Sequence, residues 1–240
     1  MLAQINIELE ANGLSTNMGS LFHGYLMENI DSAYADYFHY NTTNPFTSCI
    51  FKDMKTDKFF WRITTFNQKA YDMLMTCFSN NIPETIYLKN KDLEINVKSF
   101  SIQKKSYDDL FLECTERKRI RLISPTSFKS NGVTHIFPNI STLISGVIEK
   151  INQHSDSAEL ANRKIIDELL EKVYIKDYNL RTKFFYLESI KIKGFIGTMD
   201  LAIKGEDTML ASILNFLILM SEYTGLGIKT SLGMGGVKVE

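Results

Sequence analysis

Apolar and polar residues alternate from Ala3 to Glu10, with Ile5, Ile7 and Leu9 on one face, and this predicts a half-buried strand. Asn12 to Asn17, with Gly13 inside it, predicts a turn. Thr16 or Asn17 can then cap one long helix from Gly19 to Phe38, whose apolar stripe is Phe22, Leu26, Ile30, Ala33 and Tyr37. The following Phe-His-Tyr-Asn-Thr-Thr-Asn-Pro run cannot continue as helix, which leaves His39 just past the last turn. Phe46 to Phe51 and Phe59 to Thr65 read as a hairpin, Gln68 to Phe78 as a short helix, and Thr85 to Leu88 and Leu93 to Gln103 as strands. Strand, helix, strand, strand, helix, strand is the split βαβ, ferredoxin-like order.

The acidic stretch from Ser106 to Thr115 reads as a connector. Arg117 to Pro125 opens a second strand series, Asn139 to Gln153 and Glu159 to Lys172 are helical, and Lys183 to Lys193 is a strand that returns over Phe195 to Lys204. Asp207 caps a helix carrying Leu210, Ile213, Leu214 and Leu217 that ends near Gly225, and Val237 to Val239 closes the sheet. This half is compatible with a second copy of the same arrangement. The expected fold is therefore α+β, two tandem ferredoxin-like (RRM-like) domains over residues 1–115 and 116–240.

Composition narrows the class. An apolar content of 44% with 12% aromatic residues builds an ordinary core, and no uninterrupted apolar run is long enough for a membrane helix. The start lacks the basic and apolar regions of a signal peptide, so a soluble, cytoplasmic protein is expected. Cys49, Cys77 and Cys114 are far apart and read as reduced, half-buried small hydrophobes. No Cys-x-x-Cys or paired-histidine spacing suggests zinc, and neither a metal nor a cofactor is expected. A net charge of −1 argues mildly against nucleic acid, but the halves differ: residues 1–115 carry −4 and residues 116–240 carry +3. The densest basic cluster is Arg117, Lys118, Arg119 and Arg121, which reads either as a solvated strand end or as an RNA contact.

The chemistry concentrates at the C-terminus. Five of the 13 glycines fall within the twelve residues from Gly225 to Gly236. Such backbone turns with positive φ or is approached closely, and a run of free N–H groups there forms an anion-binding concavity. Lys229, Thr230 and Ser231 sit mid-loop as donors that a phosphate could use. The spacing is neither a dinucleotide fingerprint, which needs glycine where Thr230 stands, nor a Walker loop, in which lysine would directly follow the second glycine.

Gly225-Leu-Gly227-Ile-Lys-Thr-Ser-Leu-Gly233-Met-Gly235, between an apolar helix and a terminal strand, resembles the sixth CRISPR-associated protein family. These are the CRISPR repeat-processing endoribonucleases of the repeat-associated RNA-binding superfamily. Gly194-Phe-Ile-Gly197, Ser124-Pro125-Thr126, Leu21-Phe-His23-Gly24, Phe38-His39 and Pro45-Phe46-Thr47 are similar to the family as well. From spacing alone His39 reads as an exposed histidine beside a helix C-terminus. The resemblance instead implies the catalytic histidine, with His23 as a second candidate. The family often adds a tyrosine on the first helix and a lysine after the histidine. Met27 and Asn44 or Pro45 stand near those places here, which leaves Tyr25 and Lys52 among the nearest substitutes.

The resemblance implies metal-free cleavage of CRISPR repeat RNA, in which the 2′-hydroxyl attacks the adjacent phosphate and leaves a 2′,3′-cyclic phosphate and a 5′-hydroxyl. It implies RNA contact at Gly225, Gly227, Lys229, Thr230, Ser231, Gly233 and Gly235, and we add Arg117, Arg119 and Arg121. It further implies hand-over of product to a CRISPR effector complex, with a monomer and a homodimer both open. The alternatives are a non-catalytic RNA-binding subunit of such a complex, and an unrelated scaffold whose glycines only make a tight turn.

Overall fold

The computed structural model describes the whole chain except residues 41–42, 79–81, 116–118, 131 and 188–189. The first sheet is built from β1 (Leu2–Glu10), β2 (Phe46–Lys52), β3 (Phe59–Thr65), β4 (Thr85–Leu88) and β5 (Leu93–Lys105) in the order β2-β3-β1-β5-β4. All its pairs are antiparallel. Helices α1 (Gly19–Glu28), α2 (Ser32–Tyr40) and α3 (Gln68–Met75) complete this unit. With β4 set aside as an edge addition, the order is that of a ferredoxin-like sheet. A short α4 (Tyr107–Leu112) follows, started by a reciprocal Ser106–Asp109 capping box, so the stretch expected as a bare connector is partly helical.

The second sheet takes β6 (Arg119–Thr126), β9 (Val173–Leu187), β10 (Ile190–Ile203) and β11 (Val237–Val239) in the order β11-β6-β10-β9, the same permutation again. Between them lie a small hairpin of β7 (Phe128–Ser130) and β8 (Val133–His135), then α5 (Ile140–His154), α6 (Arg163–Lys172) and α7 (Thr208–Thr224). The two ferredoxin-like units are thus present in tandem. Among the described residues no helix is long and apolar enough to cross a membrane.

Three local expectations are corrected. The single helix over residues 19–38 is two, because Asp31 interrupts it. Asp31 Oδ1 accepts the Ala33 N–H at 2.8 Å and the Asp31 carbonyl accepts the Tyr34 N–H at 2.9 Å, which starts α2 afresh. His39 consequently lies inside the last turn of α2 rather than beyond it. α6 begins at Arg163 rather than Glu159, since the Asn162 side chain caps it by accepting from the Ile165 N–H. β9 ends at Leu187 and β10 begins at Ile190, so Gly194 lies inside β10, where it pairs with Lys183 instead of turning. A Cβ on Gly194 would lie 2.6 Å from the Thr126 carbonyl, so this glycine serves close approach of β6.

Each sheet has its own core. Ile5, Ile7, Trp61, Ile63, Phe22 and Leu26 gather beneath the helices of the first unit, and Ile120, Leu122, Leu143, Val147, Leu214 and Leu217 gather in the second. Alternation in β2 and β3 sends Phe46, Ile50, Trp61 and Ile63 to the helical side. The other face of the sheet meets the second unit. The Thr64 hydroxyl donates to the Tyr223 carbonyl at 2.6 Å, and Arg62 Nη1 donates to the Val237 carbonyl at 3.0 Å. Both faces of β2 are therefore covered, which buries it almost throughout. Cys49 is one of these covered residues, and burial pushes its thiol up to about 11.

Candidate active site

The beginning of α1 rests on the glycine-rich loop. A Cβ built on Gly19 would lie 2.4 Å from Gly233 Cα, so the two backbones approach at a distance only glycine allows. One turn further along α1, the His23 ring stacks on Phe46 with centroids 6.0 Å apart and planes 4° from parallel. α2 brings His39 to the same place, and His23, Met27, Ala35, Asp36 and His39 line a cavity of about 210 Å³. Asp36 and His39 are three residues apart in α2 and so share its face.

The two histidines have different surroundings. His39 is exposed and His23 is half-buried. Burial pushes His23 below the usual 6.5; the Ser231 backbone opposes that shift and the charge on His39 adds to it. His23 Nδ1 is sealed from solvent with no hydrogen-bond partner among the described residues. At neutral pH this places a neutral imidazole beside an exposed one. Asn44 joins the cavity's surroundings to the loop, its Nδ2 donating to Ser231 Oγ at 3.4 Å.

The other two candidates go elsewhere. Tyr25 lies two residues from His23, about 200° around the helix. It packs edge-on against Trp61 at 6.2 Å, and burial raises its hydroxyl's pKa, with Cys77 adding to the effect. Lys52 ends β2, six residues beyond Phe46 and so on the order of 20 Å away. It pairs with Asp57 at 2.6 Å. Neither is brought to the histidine pair.

The loop is docked on the end of β6. The Leu226 N–H donates to the Gly235 carbonyl, Gly235 to Pro125, Ile228 to Ser127, and Gly236 to Ser124 Oγ at 2.7 Å. The Ser124-Pro125-Thr126 motif is thus the seat of the loop. Gly225 caps α7, its N–H donating to the Ser221 carbonyl. The N–H groups of Gly227, Lys229, Thr230 and Ser231 have no acceptor among the described residues. Lys229, in left-handed backbone at φ 55°, is exposed and forms no ion pair with a described carboxylate.

Side chains expected to meet RNA divide differently. Thr230 is buried, and its hydroxyl lies 3.3 Å from Lys150 Nζ, so it faces inward. Arg119 is forked onto Asp200 at 2.7 and 3.0 Å, and Arg121 onto Glu240 at 2.6 and 2.9 Å. Both guanidiniums are engaged in these pairs at the end of β6 away from the loop. Arg117 lies outside the described residues. Lys150, which the pattern along α5 does not single out, proves to sit directly behind the loop. Among the described residues, no three His, Cys, Asp or Glu side chains group as metal ligands.

Two ferredoxin-like units, a glycine-rich loop with N–H groups unpaired among the described residues, and two histidines lining one cavity make up the candidate site. A sequence profile of the family described as CRISPR-associated endoribonuclease Cas6 matches residues 120–237. The chain is 29% identical over 229 residues to the CRISPR-associated endoribonuclease Cas6 of Streptococcus thermophilus, covering 91% of this chain and 90% of the relative. It is 24% identical to that of Mycobacterium tuberculosis, over 99% of this chain and 76% of the relative. Among solved structures, a Thermus thermophilus Cas6 product complex superposes with a TM-score of 0.83 at 18% identity over all of both chains. A second Cas6 product complex superposes with the same TM-score of 0.83 at 23% identity, covering 100% of this chain and 99% of that one. Over nearly its whole length the chain is therefore similar to CRISPR-associated endoribonucleases of the Cas6 family. The curated relatives carry the name of an endoribonuclease, which favours the catalytic reading over the non-catalytic alternative.

Proposed function

We propose that the chain cuts CRISPR precursor RNA inside its repeats without a metal ion, and that His39 and His23 carry the proton transfers. The observation that carries this reading is the junction of the histidine cavity with the glycine-rich loop: His23 meets the Ser231 backbone and Asn44 meets its hydroxyl. RNA held by the open N–H groups of Gly227 and Lys229 to Ser231 would have its backbone beside the imidazoles. Residues 1–115 would then supply the proton-transfer groups and residues 116–240 the loop.

In the reaction, a base removes the proton of the 2′-hydroxyl, whose oxygen attacks the neighbouring phosphorus. The bond from phosphorus to the 5′-oxygen breaks, and an acid protonates that leaving oxygen. The products are a 2′,3′-cyclic phosphate and a 5′-hydroxyl, and no electrons are exchanged. Imidazole suits both transfers because its ordinary pKa lies near neutrality. His39, exposed at the cavity mouth, has the access needed to reach a 2′-hydroxyl. His23 is the second group, and it must carry a proton when it serves as the acid. Loop N–H groups and Lys229 would stabilise charge developing on the phosphorane.

Three measurements test this reading. Cleavage of repeat RNA is expected to proceed in excess EDTA and to leave ends that resist ligation until the cyclic phosphate is opened; strict dependence on magnesium would overturn the chemistry. Replacing the 2′-hydroxyl at the scissile position by hydrogen should leave binding intact and abolish cutting. Lys229→Ala should weaken binding and reduce the slope of log affinity against log salt by about one unit. An unchanged slope would place Lys229 away from the RNA.

A further inference from the structure

Lys150 leaves α5 four residues before its end and is half-buried, with its ammonium against the loop. Its Nζ lies 2.7 Å from the Thr224 carbonyl, 3.5 Å from the Gly225 carbonyl and 3.3 Å from Thr230 Oγ1. The first two acceptors are carbonyls at the end of α7, which no further helical turn would satisfy. The third belongs to the middle of the loop. An ammonium has three donors, and here all three point at the loop. We propose that Lys150 is a positioning residue for the glycine-rich loop, its ammonium tying the end of α7 to Thr230 and thereby fixing the open N–H groups of residues 229–231 for RNA. This rests on the RNA-binding reading above and assigns its geometry to a group from another helix.

The arrangement also puts a positive charge behind the anion-binding face. Among the described residues, Glu149 and His154 on α5 and Lys129 on β7 are the charged or titratable groups around it. Glu149 favours the ammonium, and burial disfavours it more strongly, lowering Lys150 from 10.5 to about 8. His154 is itself held below 6.5 and does not titrate in the same range. RNA phosphates at the loop would stabilise the ammonium, so binding should take up protons as the pH passes about 8.

The sign separates positioning by charge from general structural support. The folded pKa is depressed, so between about 8 and 10.5 the unfolded chain binds more protons at this group. Its contribution to folding stability therefore rises with pH across that window. RNA affinity is expected to fall across the same window. A group that merely propped the fold would move both in one direction.

The experiment measures equilibrium binding of repeat RNA carrying a 2′-deoxy block at the cut site, from about pH 7 to about pH 9.5, for wild type, Lys150→Met and Lys150→Arg. Thermal melting is followed in parallel. Wild-type affinity should fall by about tenfold or more over this range, and Lys150→Met should start about tenfold weaker and stay flat. Lys150→Arg, which keeps its charge, should recover part of the affinity and also stay flat. If wild type binds no repeat RNA, the functional reading fails. If wild type binds but Lys150→Met keeps its affinity and its pH slope, the titrating group is elsewhere (Lys183, also depressed by burial, is the next candidate) and the assignment of Lys150 is overturned.

Discussion

His39→Ala should cleave repeat RNA at least about a hundredfold more slowly while binding it almost as well as wild type, because a general acid or base typically contributes about 10²–10⁴-fold. The 2′-hydroxyl is a very weak acid, so the attack depends on a group that takes its proton as the bond to phosphorus forms. His39 stands at the mouth of the cavity it shares with His23, on an exposed helical turn where its removal leaves no packing void. Stability should therefore change little, and the loss should appear in the chemical step. His23→Ala should cost less in rate, but it also removes the ring stacked on Phe46 and should lower the melting temperature. Single-turnover cleavage and filter binding on the same preparations decide between them. Near-normal cutting by His39→Ala with an inert His23→Ala would move the principal role to His23. Normal cutting by both would reject the histidine mechanism.

The buried member of the pair also predicts an acid limb in stability. His23 is held below 6.5 by burial, with His39 adding to the effect, so it binds a proton less readily in the folded chain. The unfolded chain takes up that proton more readily than the folded one, so acidification below 6.5 works against the native cavity. The melting temperature should fall as the pH drops below 6.5, and less steeply in His23→Ala; equal slopes would place the titrating group elsewhere.

Much of the architecture was legible from periodicity, because alternation of period two in β1, β2 and β3 reflects a real difference between their faces. The break between α1 and α2 was hidden, since the stripe Phe22, Leu26, Ile30, Ala33 and Tyr37 keeps helical spacing across it. Only the short Asn29-Ile-Asp31-Ser sequence betrays the new cap. The β9–β10 hairpin was misplaced because Gly194 looks like a turn when it is a site of close approach. The ion pairs of the arginine cluster were hidden for a different reason. The carboxylates that engage Arg119 and Arg121 lie 81 and 119 residues away in sequence, and a basic run carries no mark of partners so distant. Lys150 escaped notice because a lysine on an amphipathic helix ordinarily points to water. The histidine pair emerged only through resemblance to a family, since nothing in the spacing of His23 and His39 reveals that two separate helices bring them together.

Gly235→Ala should abolish RNA binding and destabilise the chain by several times more than the control substitution Gly205→Ala. Both glycines have positive φ, 68° and 88°, so each alanine incurs the left-handed backbone cost of about 1–2 kcal/mol. At Gly205 nothing lies within 4 Å of the added Cβ, and the cost stops there. At Gly235 that Cβ would lie 2.0 Å from the Leu226 carbonyl oxygen. This carbonyl cannot swing aside cheaply, because the loop crosses itself there: Leu226 N–H donates to the Gly235 carbonyl while Gly235 N–H donates to Pro125 on β6. Relieving the clash must lift the loop from β6, breaking those bonds and moving the open N–H groups of residues 229–231. The effect should reach the histidines as well, since α1 is seated on Gly233 two residues earlier. Melting curves and binding of 2′-deoxy-blocked repeat RNA read both consequences. A Gly235→Ala protein that melts like Gly205→Ala and binds RNA like wild type would show that the loop's crossing is not what holds its RNA-facing geometry.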